Sequence, residues 1–154
     1  MANTEKVWHR KYSVSAGTRS LLEDLRRARR RGRSVSRQKY REAMEKAILE
    51  EESVGLGFAN GTAILGGDIG FVSKALPPRA KLFVRRHELE HLLQTGSERN
   101  AEFSANFAAA KEYFWGGLQT IMFTIRYRAR FFATKSRYVA YLWGEFKKYF
   151  LPFR

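Results

Sequence analysis

The stretch Leu76–Leu93, LPPRAKLFVRRHELEHLL, constrains the fold more than any other part of the chain. Its segment Arg85–His91 holds two arginines, two histidines and two glutamates, with apolar residues on both sides. In a helix, residues four apart share a face, so His87 and His91 project together while Arg85, Arg86 and Glu90 must point elsewhere. Pro77-Pro78 is expected to stop regular structure, and the spacing predicts a helix from Leu82 to Gln94. A merely charged helix face, with Glu90 and Arg86 paired along it, is the bland alternative.

Two imidazoles at this spacing can reach one metal ion, and Glu88, next to the first, lies beside the metal position rather than at it. That arrangement suits hydrolysis: neutral nitrogens hold the ion, and a neighbouring carboxylate takes a proton from a bound water. The chain has no cysteine, so a third ligand must be His, Asp or Glu. The remaining histidine, His9, sits far away in a polar N-terminal segment. The next predicted helix, capped by Ser97 and running from about Glu98 to Trp115, offers Glu98 and Glu102 on one face. Ala101, Ala105 and Ala108 allow that helix to pack closely. Glu102 is the preferred ligand, because the Asn106 amide one turn on can bond an imidazole and fix its tautomer. Glu98, the alternative ligand, is already explained by the dipole of the helix's first turn. Tyr113 and Arg79 are candidates to stabilise an oxyanion.

Around this core the chain divides by character. Residues 18–50 read as two helices, the second capped by Ser34 or Ser36 and carrying Tyr40, Ala43, Met44, Ala47, Ile48 and Leu49 inward. Between them, the run Arg26–Arg33 reads as a solvated face or loop. Residues 53–73, rich in glycine and β-formers, predict a meander of three short strands ending at Ile69–Ser73, with turns at Asn60-Gly61 and Gly66-Gly67-Asp68. Gly116-Gly117 is expected to end the Glu102 helix, and two aromatic and basic helices to follow. The expected fold is α+β and mainly helical, with a short three-stranded antiparallel sheet before the histidine helix. One domain of 154 residues results, comprising a basic helical arm (1–50), a metal-site core (51–115) and aromatic/basic C-terminal helices (116–154).

The formal charge is +14, and it lies on the flanks. Residues 1–50 carry 14 Lys/Arg against 6 Asp/Glu, residues 51–102 carry 6 against 7, and residues 103–154 carry 9 against 2. Two basic flanks suit an acidic partner such as nucleic acid, an anionic membrane surface or an acidic protein. The polar start lacks a signal-peptide core, and the apolar run Phe114–Ile125 is too short and interrupted to span a bilayer, so no transmembrane segment is expected.

Residues 69–110 resemble the ImmA/IrrE family of zinc metallopeptidases. The likeness lies in the strand Ile69–Ser73, Leu-Pro-Pro-Arg at 76–79, Phe83, His-Glu-Leu-Glu-His-Leu-Leu at 87–93 and Glu-Phe-Ser-Ala-Asn-Phe-Ala-Ala at 102–109. Glu90 stands where that family has glycine. The resemblance implies a zincin-like core with Zn2+ on His87, His91 and Glu102, and Glu88 as catalytic base. It also implies a protein substrate, often a DNA-binding repressor. The chain is similar as well to the zincin-like metallopeptidase domains of bacterial polymorphic toxins. The expected function is therefore a zinc metalloendopeptidase, cytoplasmic or delivered into a target cytoplasm. Ile69–Ser73 would be the edge strand along which a peptide pairs. The alternative is a non-catalytic, basic helical nucleic-acid-binding protein, using the flanks and the aromatic/basic mixture from Arg126 onward.

Overall fold

The computed structural model describes residues 14–52, 60–63, 65–94 and 101–128. His9, Glu98, the Ser97 cap and the helices expected beyond Arg128 lie outside the described residues. The architecture is α+β and mainly helical, as expected: α1 (Ala16–Arg30), α2 (Arg37–Ala47), β1 (Ile48–Glu51), β2 (Gly61–Ala63), β3 (Gly70–Ser73), α3 (Pro78–Leu93) and α4 (Ala101–Arg128).

α1 starts at Ser15, whose hydroxyl accepts from Thr18 N at 3.1 Å, and α2 starts at Ser36, which accepts from Lys39 N at 3.4 Å. Their inner faces, Leu22, Leu25, Ala43, Met44 and Ala47, belong to the core together with Val84, Leu89 and Leu92 of α3. The helices of the basic arm, within residues 16–47, are therefore packed into the same core as α3.

The helical pattern expected through Leu49 breaks at Ala47. Ile48 is already extended (φ −111°, ψ 105°), and Ile48–Glu51 pairs in parallel with Gly70–Ser73. Burial of Ile48 against β3 outweighs the helix preference of the Leu-Glu-Glu run, which amounts to only a few tenths of a kcal/mol per residue, on the order of the spread among ordinary residues. β2 pairs antiparallel on the other side of β3, so the sheet is mixed, with order β1-β3-β2, and not an antiparallel meander.

α3 is the central element and touches every other helix and strand. Pro77-Pro78 begins this helix instead of ending structure before it, since proline at the first helical position sacrifices no hydrogen bond. Pro77 has no side-chain acceptor for the exposed amides, and the Gln119 side chain of α4 accepts from Ala80 N at 3.1 Å instead. At the other end, Gly66 N donates to His91 O at 3.0 Å and the Arg26 guanidinium to Leu92 O at 3.0 Å. Arg26 also reaches Gly66 O at 2.9 Å, so this buried arginine of the basic run clamps the turn at 66–67 to α3.

α4 is kinked at Tyr113 (φ −133°, ψ 46°), where two helical segments join, and Gly116-Gly117 lie within the second segment, just past the break and not at it. The glycines serve packing: a Cβ on Gly116 would lie 2.3 Å from Arg79 O. Helix propensity alone says that Gly116→Ala should stabilise by about 1 kcal/mol. The collision with the α3 backbone reverses the sign, and a net loss of about 1–3 kcal/mol is expected in urea unfolding.

Candidate metal centre

Nine consecutive residues of α3 and its cap, Arg86–Gln94, are buried, including five that can carry charge. Burying a charge costs several kcal/mol unless it is paired, so each needs a partner. Arg86 donates to Glu90 Oε2 at 2.7 Å and to Glu112 Oε1 of α4 at 3.1 Å, and its guanidinium stacks 4.5 Å from the Tyr40 ring centre on α2. Glu90 is also paired with Arg29 of α1. Burial works against the charged form of Arg86, yet Glu90 and Glu112 raise its pKa further. Glu90, which stands in place of a glycine in the resemblance above, is thus matched by cations from two helices.

With that side of α3 neutralised, His87 and His91 face α4. Their Nε2 atoms are 3.0 Å apart. Glu102, in the first turn of α4, straddles them: Oε2 is 3.5 Å from His87 Nε2 and Oε1 is 3.5 Å from His91 Nε2. One donor atom from each residue lies within 4.8 Å of the other two. Metal–ligand distances of about 2.0–2.1 Å and a tetrahedral angle require donors roughly 3.3 Å apart, and the three close contacts bracket that value. Glu102 Oε2 is buried and has no hydrogen-bond partner among the described residues. A cation between the donors would satisfy it, so the residues fit a divalent metal.

The two carboxylates are pushed in opposite directions. The imidazoles of His87 and His91 hold the Glu102 carboxyl well below the usual range, which suits a permanent anionic ligand. Burial pushes the Glu88 carboxyl up, against the opposing pull of the two imidazoles, which suits a group that exchanges a proton. Glu88 Oε1 is 4.0 Å from His87 Nε2, outside the ligand triangle. For His91, burial disfavours the charged ring, but Glu102 and Glu88 overcome it and the pKa is raised.

Two residues that support this geometry were not legible as site residues. Gln94 is fully buried, bonds His91 Nδ1 through Oε1 at 3.1 Å and donates from Nε2 to Ala101 O at 2.9 Å. It ties the ring of one candidate ligand to the backbone beside another, a role of the kind also expected of Asn106, which sits half-buried one turn past Glu102. Its position three residues after His91, on the same helix face, was the available signal. The second is Gly61 on β2, where a Cβ would lie 2.6 Å from Glu88 Oε1. The strand backbone thus presses directly on that carboxylate. β3, expected at the edge, is central and buried throughout, whereas β2 is the edge strand beside Glu88.

Neither candidate for oxyanion stabilisation stands at the ligands. Arg79 is exposed eight residues before His87, roughly 12 Å along the helix axis, and Tyr113 packs on the core roughly 16 Å of helix beyond Glu102.

A scan against protein-family models, a search of curated proteins and a search of solved structures each returned no match.

Gln94→Leu keeps the volume and removes both hydrogen bonds. If the three donors hold a divalent metal, the substitution should weaken that affinity by about 10–100-fold, as read by competition with a chromophoric chelator. Arg86→Met tests the opposite side of the helix: it strands Glu112, leaves Glu90 with Arg29 alone and should cost about 3 kcal/mol in urea unfolding.

Proposed function

We propose that this chain is a zinc-dependent metalloendopeptidase with His87, His91 and Glu102 as metal ligands and Glu88 as general base. The observation that supports it best is the convergence of three donors from two helices with a fourth, separately buried carboxylate beside them. A zinc ion there would act as Lewis acid and bring the pKa of a water molecule from about 15.7 to about 7. Glu88 takes the proton from the attacking water and passes it to the departing amine. Glu102 supplies the anionic ligand, and Gln94 holds the ring of His91 through Nδ1, leaving Nε2 to the metal. Two histidines and a carboxylate also serve non-haem iron. The choice of hydrolysis rests on the position of Glu88, a buried carboxylate 4.0 Å from His87 Nε2 and outside the ligand set, where a water on the metal would be in reach.

The substrate suggested is a protein. An extended peptide would pair along β2, where the strand backbone adjoins Glu88. The resemblance to ImmA/IrrE peptidases points to a DNA-binding repressor as substrate and to action in a cytoplasm. The similar toxin domains would make that the cytoplasm of a target cell.

The test combines metal content with cleavage. Purified protein should carry about one equivalent of zinc, and His91→Ala should lose it. Glu88→Gln should keep the metal and abolish cleavage of a random-peptide library followed by mass spectrometry. Undiminished cleavage by Glu88→Gln, or failure to bind zinc at micromolar concentration, would sink the proposal.

A further inference from the structure

The cations of α1 and α2 fall into two groups. Arg19 pairs with Asp68, Arg27 with Asp24, Arg29 with Glu90 and Lys46 with Glu42, while Arg26 is the buried clamp on α3. Arg30, Arg31, Arg33, Arg37, Lys39 and Arg41 are all exposed, and none has an ion pair among the described residues. These six lie within twelve residues at the corner where α1 ends and α2 begins, a stretch with no acidic residue. The nearest acid along the chain, Glu42, is committed to Lys46 at 2.6 Å.

An ordinary solvated helix face mixes signs, and like charges closer than about 8–10 Å repel one another at physiological salt. Here the nearest acid, Glu42, is used by Lys46, and a one-signed corner remains across residues 30–41. Five of its six members are arginines, whose planar fork matches phosphate oxygens in pairs.

The neighbouring residues narrow the partner. The large apolar side chains of the corner, Val35 and Tyr40, are half-buried against the core, so nothing apolar is left to enter a bilayer. No exposed aromatic stands among the cations to stack an unpaired base. We propose that this corner docks the chain on a nucleic-acid duplex through its backbone phosphates, without regard to base sequence. The docking is independent of catalysis at the metal centre.

The experiment is a fluorescence-anisotropy titration of the full 154-residue chain with labelled 20-base-pair duplex DNA of arbitrary sequence, repeated across salt. Six phosphate contacts predict a fall in affinity of roughly 10³-fold between 50 and 200 mM salt. Two variants, Arg30→Gln/Arg31→Gln/Arg33→Gln and Arg37→Gln/Lys39→Gln/Arg41→Gln, should each reduce that fall to roughly 40-fold and weaken binding at low salt. They change exposed residues on different elements, so one reports even where the other loses its circular-dichroism melt. An unchanged salt dependence in the folded variants would overturn the proposal, since the binding would then belong to other basic segments. Absence of a complex at 50 mM salt would overturn it too. So would equal affinity for a single strand of the same length, or binding to phosphatidylserine vesicles in preference to the duplex.

Discussion

The structure depends on the buried ion pair between Arg86 and Glu90. α3 fills the centre of the molecule and therefore cannot leave its charges in water, so its rotation about its own axis is dictated by where counter-charges stand. Arg29 of α1, Glu112 of α4 and the Tyr40 ring of α2 supply them on one side. Any other rotation would strand a guanidinium or carboxylate in the interior, at a cost of several kcal/mol per ion. With that rotation set, His87 and His91 can only turn toward α4, and Glu88 toward β2. The ligand geometry is a by-product of charge balance on a different side of the same helix.

Two carboxylates within one small pocket are then given different work by their surroundings. Glu102 meets two imidazoles, which favour its charged form, whereas Glu88 is buried against the β2 backbone, and burial disfavours its charged form. Divergent proton affinities of this kind are what the proposed division into ligand and base requires. Gln94 links the arrangement mechanically, since it touches both a ligand ring and the backbone adjoining the third ligand.

Much of the centre could be read in the amino-acid order because it obeys local rules. His87, Glu88 and His91 follow from helical spacing, and Glu102 from a second helix with small residues on its inner face. What escaped was set by distant contacts. Ile48–Glu51 looks helical until β3 is present to pair with it. Gly116 and Gly117 look like a terminator, and are in fact the surface against which α3 packs. Pro78 looks like a breaker, although position in the first turn makes it a starter. The arginine run looked uniformly solvated, yet Arg26 is buried and Arg29 reaches across to Glu90. Composition shows how many arginines there are, but only tertiary neighbours separate the structural ones from the free ones.

The Arg26 and Arg29 contacts have a consequence for how portable the centre is. A fragment spanning residues 61–128 would contain all three donors, Glu88 and the glutamine bonded to His91. It would lack the guanidinium on the Leu92 carbonyl and the cation facing Glu90. The smallest transplantable unit consequently reaches back to Ala16, and grafting the histidine helix alone into another scaffold would carry over the ligands without their scaffolding.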